Sequence, residues 1–414
     1  MDWLFPVTLA LTGALGLGMT LWGLWYVGMG LMALRKPTDF GRRLPRARFA
    51  VLIAARNEEL VIGPLINSLL AQNYPPELYD IWVIPNNCTD NTARAARGFG
   101  ARVLECTVPV KSKGEVLRFA YRRLRGRAYD AWCVFDADNL AHPDFLAEMN
   151  CAWLAGAGAA QGYRDSKNPH DTPLSGCSSL YYWMMDRFHN GGRAGAGLSA
   201  MITGTGFMVS DRVLRKLGGW NSATVSEDLE LTAQCVLAGE RVWWAPRAIT
   251  YDEQPLTWGE SLKQRRRWTS GTLQVAGRYL PLLARALWTA PSLALADLMA
   301  TLLIPLYQVA ALAGLACGAL AAALGGASPL QSLLAALAVP VVQLASAALT
   351  ATGAAALVLT TEGKWDRRML PALGAYWLFL LSWLPITLAG FWRRTTVWEE
   401  IRHTRNVIPE AMAR

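Results

Sequence analysis

The chain carries seven cysteines (Cys88, Cys106, Cys133, Cys151, Cys177, Cys235 and Cys317), and no two of them form a CxxC pair. A zinc site is therefore not expected, and the thiols read as reduced, mostly buried side chains facing a cytoplasmic environment. No GxGxxG follows the first strand-like run, which argues against a dinucleotide-dependent oxidoreductase. No GxxxxGK[ST] loop is present, which argues against an ATP-driven pump. Charge is missing over long stretches as well. No lysine or arginine lies between Arg285 and Lys364, and Asp297 is the single acidic residue between Arg285 and Glu362. A transporter would need a buried relay of charges, and the sequence shows none.

What is present is apolar surface with charge beside it. Of 414 residues 53% are hydrophobic, 18 are tryptophan, and the net charge is +9. Arg35, Lys36, Arg42, Arg43, Arg46 and Arg48 crowd behind the first apolar run, and a second basic group surrounds Arg265. Long apolar runs beside basic flanks point to a lipid bilayer, and a nucleic-acid partner is not expected. Trp3 to Leu34 is long enough to cross a bilayer. Its charge follows the apolar run, unlike a signal peptide, so it reads as an anchor with a cytoplasmic C-terminal end. Further spans are expected over Leu293–Leu324 and Leu330–Leu359, joined by the uncharged external turn GGASP. A fourth segment, Pro371–Trp392, contains Pro385 and is flanked by Arg367 and Arg368 before it and Arg393 and Arg394 after it. One crossing cannot satisfy both basic flanks, so the segment is re-entrant or a boundary lies elsewhere.

Between the anchors, residues 48 to about 255 alternate strand-like and helical patterns. FAVLIAA (49–55), DIWVIP (80–85) and AWCVFDAD (131–138) are short runs rich in β-formers, separated by helical patterns such as Glu59–Leu70 and Gly114–Leu124. That alternation implies an α/β domain with a mostly parallel sheet flanked by helices. Ligands of such sheets sit at the carboxyl ends of the strands, where ARNEE, NNCTD and DAD fall. In DAD, Asp136 and Asp138 point the same way along an extended chain. Two such carboxylates suit Mg²⁺ or Mn²⁺, which also binds phosphates; the bland alternative is a solvated turn. SEDLEL (226–231) offers Asp228 as a general base, against a helix-capping role. ITGTGF (202–207) has the small residues that let a substrate approach the backbone.

The ordered set ARNEE, NCTD, KG, DAD, GTG, ED and QRRRW resembles the processive family 2 glycosyltransferases, which include the cellulose, chitin, hyaluronan and poly-N-acetylglucosamine synthases. The resemblance covers about residues 50 to 270 and implies a GT-A-like sheet between N- and C-terminal transmembrane helices. It implies that Ala54, Ala55, Arg56 and Glu58 border a uridine pocket, with Asn86 where the family shows an acidic contact. Lys113 would approach the phosphates, Asp136 and Asp138 would hold the UDP-sugar and its Mg²⁺ or Mn²⁺, and Gly204, Thr205 and Glu227 would line the substrate site. Asp228 would be the base, and Gln264, Arg267 and Trp268 would meet the diphosphate and the acceptor sugar, leaving the other arginines of QRRRW at the membrane interface. The sequence departs from the family where Ala54 replaces proline and Asn86 replaces aspartate; an amide can still hydrogen-bond a base or ribose. VWEEIRHTRN (397–406) resembles the gating tails of relatives, which would make Trp398, His403, Thr404 and Arg405 a lid.

The expected organisation is an anchor over 1–36, a cytoplasmic catalytic domain over 37–258 and interfacial helices over 259–291. A transmembrane region over 292–395 and a cytoplasmic tail over 396–414 would follow. The implied activity is inverting transfer from a UDP-sugar to a growing β-linked polysaccharide, exported through the membrane region of an integral membrane protein. Two alternatives stand beside it. One is single addition to a lipid-linked acceptor; the other is a membrane transporter or binding protein without catalysis.

Overall fold

The computed structural model describes residues 3–325 and 328–392. Eight strands form one sheet in the order β3-β2-β1-β4-β7-β6-β8-β5. They are β1 (Phe49–Ala55), β2 (Tyr79–Pro85), β3 (Arg102–Val103), β4 (Ala131–Asp136), β5 (Leu140–Ala141), β6 (Ala159–Ser166), β7 (Phe207–Ser210) and β8 (Val242–Asp252). β1 pairs in parallel with β2 and β4, β2 with β3, and β6 with β8; β7 runs antiparallel to β4 and β6, and β5 antiparallel to β8. This is the mixed, mostly parallel α/β sheet that the alternating sequence pattern implied.

The apolar run of β1 is explained by burial on both faces. Ala50, Leu52 and Ala54 enter one core cluster, while Phe49, Val51, Ile53 and Ala55 enter another on the opposite face. Successive side chains alternate faces, so a strand covered on both sides must be apolar throughout. Each large aliphatic or aromatic side chain so buried contributes about 1.5–3 kcal/mol.

Topology then brings the polar segments to one edge. β1, β4, β6 and β8 all end there, and β7, antiparallel to β4 and β6, begins there. The turn Gly204-Thr205-Gly206 that starts β7 therefore lies beside the end of β4, with Gly206 N–H donating to Val134 O at 2.9 Å. Gly204 and Gly206 have φ of +92° and +60°, a left-handed backbone that favours glycine.

Among the described residues four helices are long and apolar enough to cross a membrane: Leu4–Met32, Ile304–Leu324, Pro329–Thr361 and Arg367–Trp392. The span expected over Leu293–Leu324 is broken. Leu293–Leu302 is a separate helix and the next begins at Ile304, because Pro305 lacks an N–H and fits the first turn of a new helix. The short helix serves as a clamp. Asp297 accepts from Arg193 Nε (2.7 Å) and Nη2 (2.9 Å) and from Trp25 Nε1 of the first helix (3.0 Å). Gly192 permits this approach, since a Cβ there would lie 2.2 Å from Met29 O.

The fourth apolar segment also breaks, into Leu370–Leu381 and Trp383–Trp392. Its first part packs on the Pro173–Met184 helix, where a Cβ on Gly176 would come within 2.5 Å of the Ala372 side chain. Its second part packs on the Trp258–Thr289 helix, with Gly390 against Thr269 and Leu273, and Thr387 Oγ1 donates to Gln308 Oε1 at 2.6 Å.

Candidate active site

The carboxyl edge of the sheet is a cleft walled by Asp136, Asp138, Lys113, Asp228, Arg267 and Trp268, together with Ala54, Arg56, Glu58, Gly204, Glu227 and Gln264. The sequence expectations thus converge in space, with three exceptions. Ala55, Asn86 and Thr205 stand behind the wall. The Asn86 side-chain oxygen accepts from Arg56 Nε (3.1 Å) and Nη2 (2.8 Å), and its amide donates to Ala55 O (2.9 Å). Asn86 is only 1% exposed, and its side-chain oxygen holds Arg56, which faces the cleft. Thr205 is fully buried, bonds Asn139, and accepts the Asp136 N–H at 3.1 Å, holding the end of β4 in place. Trp398, His403, Thr404 and Arg405 lie outside the described residues.

Lys113 is the hinge of the electrostatics. Ser112 caps its helix by accepting from Glu115 N, which sets Lys113 in the first turn. Its ammonium donates to Asp136 Oδ1 (2.5 Å) and Gly204 O (2.6 Å) and lies 3.8 Å from Glu227. Burial opposes the lysine charge, but the Asp136 and Glu227 carboxylates outweigh it and hold its pKa above the ordinary value. Burial likewise opposes ionisation of Asp136, and the Lys113 ammonium overcomes it, so this carboxyl sits below its usual range. The next pair goes the other way. Burial raises Glu227 to about 7, with Lys113 pulling it down and the Asp228 charge pushing it up. Burial also raises Asp228, against its hydrogen bond from Leu229 N–H and the nearby Lys113 and Arg164 charges. One carboxylate held below its usual range and two raised above theirs share one cleft, the kind of perturbation that gathers at functional sites.

QRRRW splits its residues three ways: some face the cleft, Arg265 is buried and Arg266 is exposed. Gln264, Arg267 and Trp268 face the cleft. Arg265, which the sequence placed at the membrane interface, is taken up inside the protein. It is buried, bonding Phe379 O at 3.2 Å and Ser382 Oγ at 2.6 Å, and its guanidinium lies 4.5 Å from the Phe379 ring. Burial brings its pKa down to about 10. Trp268 stands in an aromatic group, stacked near Tyr181 (6.2 Å, 15°) and Trp383 (6.1 Å, 22°) and edge-on to Tyr182 (5.9 Å).

A family profile described as "Glycosyltransferase like family 2" matches residues 45–271. The chain belongs to glycosyltransferase-like family 2. It is 29% identical to the "Probable glycosyltransferase YdaM" of Bacillus subtilis (strain 168) over 63% of this chain and 66% of that protein. It is 25% identical to the "Beta-monoglucosyldiacylglycerol synthase" of Synechocystis sp., over 63% of this chain and 57% of the relative. The chain thus spans less than two thirds of these relatives. The solved structure of the mannosyltransferase PcManGT from Pyrobaculum calidifontis, in complex with GDP-Man and Mn²⁺, superposes with a TM-score of 0.62. It is 21% identical and covers 94% of this chain and 99% of that one, which shows a shared fold.

Two further residues join the site: Arg164, within GYRDSKNP (162–169), which the sequence offered as a donor or acceptor border against a plain loop, and Asp252, which sequence reasoning passed over. Arg164 on β6 bonds Asp252 on β8 through Nε at 2.6 Å, reaches Thr203 O, and lies 4.1 Å from the Tyr182 ring. Asn139 donates to the other Asp252 oxygen at 2.8 Å. The available signal was positional: Arg164 and Asp252 end strands at the edge that carries DAD.

Among the described residues no group of three or more His, Cys, Asp or Glu side chains converges to hold an ion unaided. Asp136 and Asp138 supply two carboxylates facing open cleft. That donor set fits Mg²⁺ or Mn²⁺ only where phosphate oxygens complete the shell, as hard cations on nucleotide phosphates commonly do.

Proposed function

We propose that this chain is an inverting glycosyltransferase that moves one sugar from a UDP-sugar to a hydroxyl of a membrane-borne acceptor. The observation that carries the reading is Asp228, with its pKa raised, in the same cleft as Lys113, Arg267 and the DAD carboxylates. Asp228 takes the acceptor hydroxyl proton. The acceptor oxygen bonds the anomeric carbon, and the sugar–phosphate bond breaks with its electrons leaving on UDP. Arg267 and Lys113 stabilise that charge, and a Mg²⁺ or Mn²⁺ held by Asp136 and Asp138 adds neutralisation when bound. One base and direct displacement invert the anomeric centre.

Single addition is favoured over processive synthesis and export by the membrane helices. Leu4–Met32 packs on Ile304–Leu324, which packs on Pro329–Thr361, in a row built largely of Ala, Leu and Val. A growing polysaccharide would need a polar passage. The fourth apolar segment lies along the catalytic domain and the interfacial helix at both ends, so we read it as re-entrant, which leaves both basic flanks cytoplasmic. The domain organisation follows: anchor 1–36, cytoplasmic catalytic domain 37–258, interfacial helix 259–291, membrane region 292–395 and tail 396–414.

Two results test the cleft. Asp138→Ala should lose UDP-sugar binding in Mg²⁺ or Mn²⁺ by calorimetry, roughly tenfold or more, as for loss of a carboxylate ligand on a phosphate-bound ion. Transfer that persists unchanged in excess EDTA contradicts the metal assignment. The acid limb of kcat/KM is the second. A base works only when ionised, so activity is present above its pKa and lost below it. Burial raises Asp228 and Glu227 together, so the limb should lie above the ordinary aspartate value of about 3.9, and it belongs to the pair. A limb at the ordinary value contradicts the assignment.

A further inference from the structure

A second cavity adjoins the donor cleft and shares Arg164, Tyr182, Thr203, Asp228 and Trp268 with it. Its near walls are apolar, including Met185, Met201, Ile202 and Leu229. Its far wall is made by Ile304, Pro305 and Gln308, where the second membrane helix begins, and by Trp383 and Thr387 of the fourth apolar segment. The cavity therefore runs from the proposed base to the membrane helices.

Its charge inventory is short. Besides Asp228, the wall carries one arginine and one histidine and no lysine. Arg164 is already paired with Asp252 and capped by Tyr182. His189 is buried beside Arg193, and burial followed by that positive charge drives its pKa well below the ordinary value, so it is neutral. Thr203 Oγ1 and Trp383 Nε1 are buried without a hydrogen-bond partner and belong to this wall. A phosphate placed here would face the Asp228 carboxylate with no uncommitted cation on the wall to offset the repulsion.

We infer that this cavity binds the acceptor, an uncharged membrane lipid with a free hydroxyl, and discriminates against phosphate-bearing lipids. The inference rests on the glycosyl-transfer reading above. The lipid hydroxyl gives its proton to Asp228 and bonds the anomeric carbon as UDP departs. Its hydrocarbon leaves past Ile304 and Pro305 toward the bilayer, and the orphan Thr203 and Trp383 groups bond headgroup oxygens.

The test uses the full chain in nanodiscs with Mn²⁺ and a UDP-sugar that it turns over. Dioleoylglycerol, dioleoylphosphatidylglycerol and a soluble oligosaccharide are offered separately, and the products are read by mass spectrometry. Dioleoylglycerol should gain a single sugar, with kcat/KM at least about tenfold above the phospholipid, since like charges in contact cost several kcal/mol. Met185→Lys puts a cation on the wall and should narrow that ratio several-fold; where that variant no longer binds UDP-sugar, Thr272→Lys on the same wall replaces it. Preference for the phospholipid or the oligosaccharide overturns the inference, as does an unchanged ratio in a lysine variant that binds donor normally. Absence of UDP release with every donor and acceptor instead overturns the glycosyl-transfer reading itself.

Discussion

Asp228→Asn should leave UDP-sugar affinity within about twofold of wild type and lower transfer roughly 10²- to 10⁴-fold, the usual contribution of a positioned general base. The amide keeps the side-chain oxygen that accepts the Leu229 N–H at 2.8 Å, so the start of the Glu227–Leu237 helix is retained. What is lost is the lone pair that takes the acceptor proton. Donor binding by calorimetry and turnover by UDP release separate the two effects. A variant that turns over normally would remove Asp228 from the chemistry, whereas one that fails to bind donor would assign it to nucleotide recognition.

The second large effect concerns stability. Asp297→Ala removes the carboxylate and its two bonds from Arg193, which is 1% exposed and keeps only the neutral His189 O and Thr301 Oγ1 acceptors and the neighbouring Tyr26 ring. An uncompensated buried charge costs about 3–5 kcal/mol, so thermal unfolding in detergent should move well below wild type. The Trp25 bond goes with it, loosening the Leu4–Met32 helix from the Leu293–Leu302 helix. Arg193→Met combined with Asp297→Leu removes both charges and should recover much of the loss. A silent single variant would mean that water or lipid already reaches the pair.

A third outcome separates a platform from an anchor. Trp268→Phe keeps an apolar ring but loses stacking area against Tyr181 and Trp383 and the indole N–H. Transfer should fall by roughly tenfold or more while UDP-sugar binding holds, in line with the cost of lost aromatic contacts. Equal activity would reduce the residue to packing.

The parts of the site that were legible in the sequence are those fixed by local rules. Alternation of strand and helix patterns located the sheet, and the end of an apolar strand located DAD, because side-chain period and strand direction are properties of short segments. The pairing of Arg164 with Asp252 was opaque for the opposite reason: GYRDSKNP could be a site border or a loop, Asp252 sits in an ordinary strand, and they become one site only when β6 pairs with β8. The burial of Arg265 was not legible because a triple arginine beside an apolar run reads as a flank, and its partners Phe379 and Ser382 lie more than a hundred residues on. The contact of Asn86 with Arg56 was likewise not legible, since the two residues lie 30 positions apart in sequence. The break at Leu303 needed only Pro305, and was legible but outweighed by the length of the apolar run.

The most direct measurement is UDP release by the purified full chain with Mn²⁺ or Mg²⁺, across the common UDP-sugars, in the presence of membrane lipid. The account predicts release from at least one donor, dependent on the divalent ion, and its collapse in Asp228→Asn. No release from any UDP-sugar by a chain that is folded in the membrane, or release that Asp228→Asn leaves intact, would contradict it.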